Sequence, residues 1–172
     1  RYYSTKFKET DIIKFNQFNL GLSLSVQGNL NVQGIESNKV YFTSFKDDSV
    51  GGDTNDDGNA TTPAPGDWSR ISFALGSTGN MSSAVIRYGG CFACSFYLVP
   101  QEGVIKNSGG NLNISNSRVA NNYLYGIYHS GGTTNISFSS IRDLVPLGIS
   151  YGAYTTTTAS ILTAQNNWWG SA

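Results

Sequence analysis

An internal repeat of 22 residues constrains this chain more than any other feature of its sequence. Segments 109–130 and 131–152 align without a gap, and eight of the 22 aligned positions carry the same residue. A unit this short holds too few apolar residues to form a core alone, so it must stack on its neighbours. The identities are Gly109-Gly110 with Gly131-Gly132, Asn113-Ile114-Ser115 with Asn135-Ile136-Ser137, Ser117 with Ser139, and Gly126-Ile127 with Gly148-Ile149.

Strands, rather than helices, are predicted within each unit. The apolar residues are mainly Val, Ile, Phe and Tyr, and they alternate with abundant Gly, Ser, Thr and Asn. This composition favours strands and turns, and no stretch of about twelve residues shows helical periodicity. Outside the two aligned segments, short strands are predicted at 11–15, 24–27, 30–33, 39–45, 71–73, 84–88 and 159–162.

Stacking of such units predicts an all-β fold, a single-stranded right-handed parallel β-helix with about 22 residues per coil. The right hand is expected because parallel crossovers strongly prefer it. A leucine-rich solenoid would need a different spacing, and a β-sandwich has short strands but no such repeat. The predicted interior columns are Ile114 over Ile136, Val119 over Ile141 and Ile127 over Ile149, with Asn113 over Asn135 as an amide ladder at a turn.

One domain is expected over residues 1–172, because this length suits a single core. Its special regions are an acidic insertion at 46–70 and a cap at 168–172, where Trp168 and Trp169 would cover the end of the core. We expect the chain to belong to a longer multidomain protein, because it starts abruptly at Arg1 with no signal peptide.

Charge is scarce and unevenly distributed. Charged residues make up 13% of the chain, its formal net charge is zero, and six of its eleven acidic residues lie between Asp47 and Asp67. The eleven Lys and Arg are scattered, which argues against nucleic-acid binding. No apolar run approaches the roughly 20 residues of a membrane helix, so no membrane span is expected.

The acidic insertion carries the pattern of a calcium-binding loop. Asp53, Asn55 and Asp57, followed by Gly58, match D-x-[DN]-x-[DN]-G, in which alternate oxygens converge and the glycine permits a sharp turn. The twelfth loop position, a Glu in EF-hands, is Ala64 here, and the flanking helices are missing. A solvated acidic loop is the alternative. The predicted ligands of a structural calcium ion are Asp53, Asn55, Asp57 and Asn59, completed by Asp47, Asp48 or Asp67.

Five motifs resemble the right-handed β-helix repeats of large bacterial and archaeal cell-surface, adhesin-like proteins. They are VQGNLNVQG (26–34), VYFTS (40–44), PGDW (65–68), IRYGG (86–90) and NNWWG (166–170), and the resemblance covers nearly the whole chain. It implies an extracellular, cell-surface location and a role in adhesion, as a spacer or in polysaccharide binding. The same scaffold occurs in lyases, so the resemblance is specific for the fold rather than for function.

A non-catalytic surface module is the function that we expect, with a pectate-lyase-like polysaccharide lyase or a glycoside hydrolase as the alternative. Beyond Asp67 the only acidic residues are Glu102 and Asp143, which are not one repeat apart. Arg118 and Arg142 are 24 residues apart and could approach on adjacent coils, but an ion pair of Arg142 with Asp143 at the surface is the simpler interpretation. No catalytic residue is predicted, and the sole histidine is assigned to the surface or a turn.

Aromatic residues offer a second candidate site, for a polysaccharide or cell-surface glycan. On a flat face, tyrosines could stack on sugar rings, whereas inward tyrosines would be core. Five of them fall within about one and a half coils: Tyr123, Tyr125, Tyr128, Tyr151 and Tyr154. The pair Cys91 and Cys94 forms a lone C-x-x-C, which is consistent with buried thiols or a local disulfide.

Overall fold

β-Strands are the only regular secondary structure in the residues that the structure describes. A computed structural model describes residues 2–16, 22–90, 103–142, 152–156 and 160–170. Over these ranges no helix is long and apolar enough to cross a membrane. The strands are β1 (Tyr2–Lys8), β2 (Ile12–Phe15), β3 (Ser23–Gln33), β4 (Val40–Ser44), β5 (Arg70–Phe73), β6 (Thr78–Ser82), β7 (Ala84–Arg87), β8 (Ile105–Ser115), β9 (Arg118–Ala120), β10 (Ile127–Ser137), β11 (Ser140–Arg142), β12 (Ala153–Thr155) and β13 (Ile161–Gln165).

These strands form two parallel sheets, which confirms the predicted all-β class. The larger sheet has the order β1-β3-β5-β8-β10-β12, in which β6 also pairs with β3 and β8, and β13 pairs with β10. The smaller sheet has the order β2-β4-β7-β9-β11 when it is followed along the chain. Within each sheet the strands therefore follow one another in sequence order, and the chain passes back and forth between the two sheets.

The register of the sheets aligns the residues that the repeat predicts. Ile114 on β8 pairs with Ile136 on β10, and Val119 on β9 pairs with Ile141 on β11. All four are buried at 1% exposure or less. Pairing at this offset confirms that neighbouring strands lie one 22-residue repeat apart in this part of the chain.

The predicted Asn113–Asn135 ladder forms, but on the exposed side of the larger sheet rather than at a turn. The Asn135 side-chain nitrogen donates to Asn113 Oδ1 at 2.9 Å, and Asn113 in turn donates to Asn80 Oδ1 at 3.1 Å. The ladder thus extends one strand further than the sequence alignment reached, because Asn80 on β6 is in register with Asn113.

Two details of the predicted strands are wrong. Ile127 pairs with Ile105 on one side and with Ala153 on the other, so Ile149, which lies outside the described residues, is not its partner. The strands predicted at 24–27 and 30–33 are one strand, β3, which continues without a break through Gly28 and Asn29. The neighbouring pass is instead divided into two strands, β5 and β6, which pair with the two halves of β3.

Apolar side chains from both sheets form one core between them. Alternate residues of each strand point inward, as in β8, where buried Ile105, Leu112 and Ile114 alternate with exposed positions. Burying such a side chain contributes about 1.5–3 kcal/mol, and stacked columns repeat this gain at every strand. The largest buried side chains are Trp68, Phe42, Phe73, Leu30, Ile71, Met81, Ile86, Ile105, Leu112, Ile114, Ile127 and Ile136.

The turns between the two sheets are joined by a ladder of side-chain hydrogen bonds. The Ala84 amide donates to Ser117 Oγ at 3.0 Å, the Ser117 amide to Ser139 Oγ at 3.1 Å, and the Ser139 amide to Asn167 Oδ1 at 2.9 Å. Each turn therefore uses a side chain of the following turn to satisfy a buried amide that would be costly to leave unpaired. The Asn167 side chain also donates to the Ile136 carbonyl at 2.8 Å.

His129 is buried in the interior, so its predicted surface position is wrong. Its ring is fully buried, and Nδ1 lies 3.0 Å from Thr134 Oγ1. Asn107, its register partner on β8, donates to that same hydroxyl at 2.9 Å and accepts hydrogen bonds from the amides of Gly109 and Gly110. His129 is thus part of a buried polar cluster with Thr134 and Asn107, in which Asn107 satisfies the backbone amides.

Protonation of His129 should destabilise the fold. Burial lowers the pKa of His129 from its ordinary value of 6.5, so the unfolded chain takes up a proton at a higher pH than the folded one does. The free energy of unfolding should therefore fall as pH decreases from about 6.5 through the lowered folded-state pKa. We expect urea denaturation between pH 7.5 and about 5 to show a steeper loss for the natural chain than for His129→Gln. If the free energy of unfolding fell equally with pH in the natural chain and in His129→Gln, His129 would not be the group responsible.

Candidate functional site

The acidic loop, residues 45–69 between β4 and β5, packs on the smaller sheet. Its bounds differ from the predicted 46–70 by one residue at each end. The Trp68 ring stacks on Phe15, with ring centroids 4.2 Å apart and planes inclined by 11°. Trp68 Nε1 also donates to the Arg87 carbonyl at 2.9 Å, and only 2% of Trp68 is exposed. This tryptophan anchors the end of the loop in the core.

Asp47 anchors the beginning of the loop through a buried ion pair. Its carboxylate accepts hydrogen bonds from Thr43 Oγ1, from Ser49 Oγ at 2.7 Å and from Arg87 Nε at 2.7 Å, and Arg87 Nη2 lies at 2.6 Å. Burial alone would raise the pKa of Asp47, but the hydroxyl hydrogen bonds and the charge of Arg87 outweigh it and lower the pKa. Asp47 is therefore ionised and engaged in holding the loop to β7.

Asp67 has a similar role at the other end of the loop. It is buried, and it accepts hydrogen bonds from Ser44 Oγ at 2.6 Å, from Lys46 Nζ at 3.1 Å and from the Ala64 amide at 3.0 Å. Of the predicted metal ligands, Asp47 and Asp67 thus have protein partners at the base of the loop.

Three other predicted ligands converge at the outer part of the loop. One carboxylate oxygen from each of Asp48, Asp53 and Asp57 lies within 4.8 Å of the others. Oδ1 of Asp48, of Asn55 and of Asp57 is shielded from solvent and has no hydrogen-bond partner. Buried oxygens without a donor are costly, and several carboxylates this close repel one another. The site is therefore rich in oxygen acceptors and poor in positive charge.

The backbone of the loop holds this cluster in place. Asp53 accepts hydrogen bonds from the amides of Gly58, at 2.8 Å, and Asp57, at 3.3 Å. The Gly58 hydrogen bond is the main reason that the pKa of Asp53 lies below its ordinary value. Gly58 has a φ of +66°, which is the turn that the sequence pattern predicted. Asn59 follows this turn and is exposed.

The arrangement suits a hard cation better than a proton-transfer or redox role. Asp48, Asp53 and Asp57, with the amide oxygen of Asn55, offer only oxygen ligands, the type preferred by calcium and magnesium. A loop without regular structure tolerates the irregular coordination of calcium more readily than the octahedron of magnesium. The residues present therefore fit a bound divalent ion at this position.

The tyrosine face, which we define as Tyr125, Tyr128 and Tyr154, brings together three of the five predicted aromatic residues. The Tyr125 and Tyr154 rings stack with centroids 5.1 Å apart, and those of Tyr128 and Tyr154 with centroids 5.7 Å apart. Tyr128 and Tyr154 are register neighbours on β10 and β12, and Lys106 on β8 is the next residue in that row. The Tyr128 side chain points outward, since the adjacent Ile127 is buried, and Tyr154 is 38% exposed.

Of the two remaining tyrosines, the structure describes only Tyr123, and Tyr123 does not contribute to this face. Tyr123 is only 4% exposed, and burial raises its pKa, so it belongs to the interior. Tyr151 lies outside the described residues, as do Cys91, Cys94, Glu102 and Asp143.

Sequence reasoning also missed Arg87, since nothing in the sequence indicates that it pairs with an aspartate 40 positions away.

The predicted cap at 168–172 lies partly outside the described residues, which include Trp168 and Trp169 but not 171 and 172. The Trp169 ring lies against Gly152, where an added Cβ would approach Cε3 to 2.4 Å. Trp168 instead continues the smaller sheet through a parallel bridge to Ser140, and its ring lies under Arg142, whose Cζ is 4.9 Å from the ring centroid. Both tryptophans remain more than two-fifths exposed, at 46% and 44%.

Comparison with models of protein families, with curated proteins and with solved structures finds no match for this chain.

The Asp47–Arg87 pair should contribute far more to stability than the surface pair Glu36–Lys39. Arg87→Gln leaves a buried carboxylate without its cation, so the free energy of unfolding should fall by about 3 kcal/mol. Lys39→Gln is the matched control, because its partner Glu36 is 81% exposed and such pairs contribute at most about 1 kcal/mol. Urea denaturation of both variants measures the difference, and equal losses would show that Asp47 does not depend on Arg87.

Proposed function

We propose that this chain is a non-catalytic β-helix module of a larger cell-surface protein, which binds polysaccharide in adhesion and is stabilised by a structural calcium ion. The single observation that carries the binding function is the stacked, outward-facing group of Tyr125, Tyr128 and Tyr154. The β-helix supplies the rigid support for this face, and the calcium ion stabilises the acidic loop on the other sheet.

The strand order of both sheets supports the β-helix. Each strand pairs in parallel with strands of the preceding and following passes, and like residues such as Ile114 and Ile136 align. A chain that passes from one sheet to the other and back advances by one strand spacing, about 4.8 Å, at each circuit. The right hand follows from the strong preference of parallel crossovers. The resemblance of the sequence motifs to β-helix repeats of bacterial and archaeal surface proteins supports the same fold and an extracellular location.

The acidic loop supports the calcium ion. Asp48, Asp53 and Asp57, together with Asn55, would hold it, and the ion would supply the charge that their clustered and unpaired oxygens need. Its role would be structural, because its charge would offset the repulsion between the carboxylates and so fix the long loop against β2 and β4. Lys14 already holds one side of this loop, since its Nζ donates to the Gly52 carbonyl at 2.6 Å.

Ring geometry supports a glycan as the ligand of the tyrosine face. Stacked rings at 5.1 and 5.7 Å present apolar edges and faces together with hydroxyl groups. Sugar rings have the complementary combination of an apolar face and polar rim. Because Tyr128 and Tyr154 lie on neighbouring strands of one sheet, their spacing is fixed by the backbone rather than by a mobile loop.

Calcium should raise the stability of the natural chain, and removal of two ligands should abolish the effect. At a calcium concentration 100 times Kd, binding to the folded state alone adds about 2.7 kcal/mol, which raises Tm by several degrees. The double variant Asp53→Asn with Asp57→Asn should show the same Tm with calcium and with a chelator. The control is Asp56→Asn, an exposed acid of the same loop outside the cluster, which should keep the response. A natural chain whose Tm ignores both calcium and chelator would rule out the ion.

Loss of a ring from the tyrosine face should weaken polysaccharide binding. Tyr128→Ala and Tyr154→Ala should each weaken it by roughly threefold to tenfold, since an aromatic stacking contact contributes about 0.5–1.5 kcal/mol. Leu75→Ala is the control, because Leu75 is 86% exposed and lies at a turn away from this face. Pull-down and titration with polygalacturonate, alginate and cellulose measure the change.

The same incubation tests the alternative, a polysaccharide lyase. Ultraviolet absorbance from unsaturated products would show that the chain is a lyase rather than a non-catalytic binding module. Binding to none of the three polysaccharides, or binding that the tyrosine variants leave unchanged, would contradict the proposed role of the tyrosine face.

A further inference from the structure

Five segments of the larger sheet lie in one register and present a common outer surface. They are residues 29–33 of β3, 78–82 of β6, 111–115 of β8, 133–137 of β10 and 161–165 of β13. The second and fourth residues of each segment face the core side, since strand residues alternate between the two faces of a sheet. We name the remaining residues, the first, third and fifth of each segment, the amide face.

The amide face contains no charged side chain. Fourteen of its fifteen residues are Asn, Gln, Ser or Thr, and the other is Ile161. An ordinary solvated surface mixes charges of both signs. The neighbouring strand β1 does carry charge, because it continues two rows of this face with Lys6 and Lys8. The composition of the amide face therefore favours a neutral, hydrogen-bonding ligand over an ionic one.

Side-chain hydrogen bonds organise the central row of this face. Asn135 donates to Asn113 Oδ1 at 2.9 Å, Asn113 donates to Asn80 Oδ1 at 3.1 Å, and Asn31 follows in register. An amide engaged in this way keeps a second N–H and a second lone pair for other partners. The row thus repeats donors and acceptors at the strand spacing of about 4.8 Å. Side chains that are already held in place lose less entropy when a ligand binds.

We propose that, within the polysaccharide-binding function on which this inference rests, the amide face binds an extended, uncharged glycan chain. A sugar hydroxyl both donates and accepts hydrogen bonds, and so do the amides and hydroxyls of this face as a set. A carboxylate only accepts, and the face has no cation to compensate its charge. The rows cross the strands in a straight sequence, so successive sugars of a linear chain meet successive side chains of the same type.

The amide face is separate from the tyrosine face, although both belong to the larger sheet. Tyr128 lies near the start of β10, five positions before Thr133, and its register neighbours are Lys106 and Tyr154. The amide face uses the other end of β10, from Thr133 to Ser137. Substitutions can therefore test the two surfaces one at a time.

Titration followed by nuclear magnetic resonance tests the ligand class, because each asparagine side chain has its own amide resonances. With cellohexaose or mannohexaose, we expect the side-chain resonances of Asn80, Asn113 and Asn135 to shift. Those of Asn38, an exposed asparagine at a turn outside the face, should not. A hexamer of galacturonate should bind there at least tenfold more weakly. Added salt should not change the affinity for the neutral sugars, since no charge takes part.

Variants of the central row test the contacts themselves. Asn113→Ala and Asn135→Ala should each weaken binding of the neutral hexamer roughly threefold to tenfold, the effect of losing one hydrogen bond. Asn113→Asp, which keeps the size but adds a charge and removes the N–H donors, should weaken it at least as much. Asn38→Ala is the matched control and should have no effect. Thermal melting of each variant confirms that it is folded.

The outcomes for the two surfaces can be told apart. Tyr128→Ala should leave the resonance shifts of the central row, and the affinity measured from them, unchanged. Row resonances that respond to neither neutral hexamer, tighter binding of the galacturonate hexamer, or natural affinity in both alanine variants would overturn the proposal. If the row failed in this way while Tyr128→Ala weakened polysaccharide binding, the tyrosine face alone would carry the proposed function.

Discussion

In-register parallel pairing is the constraint on which the rest of this structure depends. When strands one repeat apart share a register, every residue lies directly beside its equivalent, so the residues of one row face the same side of the sheet. Ile114 beside Ile136 makes an apolar row in the core, whereas Asn113 beside Asn135 makes an amide row outside. A column of such apolar residues forms a continuous core in which each member contacts residues about one repeat away in the sequence.

Several polar groups inside the fold have partners in a neighbouring row or turn. Asn107 and His129 lie side by side in register, and both contact Thr134 near the point where the register of β8 and β10 shifts. Where the acidic loop leaves the smaller sheet, the buried charge of Asp47 is compensated by its ion pair with Arg87. These contacts place charge and hydrogen-bonding capacity inside a domain whose sequence is only 13% charged.

The repeat made much of this fold predictable, since equal spacing between Ile114 and Ile136 or between Val119 and Ile141 translates directly into register. Prediction was wrong where spacing is not preserved: Ile127 pairs with Ala153 rather than with Ile149, so the next pass does not keep the 22-residue offset. His129 was misplaced because the sequence shows no catalytic partner for it, which assigned it to the surface or a turn, whereas its row partner Asn107 makes a buried polar cluster possible.

The acidic loop was predictable in part for a related reason. Local spacing brought Asp53 and Asp57 together, because the turn at Gly58 is encoded within a few residues. Asp47 and Asp67 could not be distinguished from them in sequence. Only the fold shows that Asp47 forms an ion pair with Arg87 and Asp67 with Lys46. Tyr123 was likewise grouped with the other tyrosines, although it lies in the segment between β9 and β10 and is buried together with Asn122 and Leu124.

The serine and asparagine ladder between turns has a directional consequence. The amide of Ala84 relies on Ser117, that of Ser117 on Ser139, and that of Ser139 on Asn167, so each circuit is completed by the one after it. Fraying from the carboxyl end would expose one orphaned amide after another and weaken every circuit behind it. Fraying from the amino end would break no bond of this ladder until Ala84 itself was released. The ladder therefore has a direction: loss of a later turn removes a hydrogen bond from the turn before it, whereas loss of an earlier turn removes none from the turns after it.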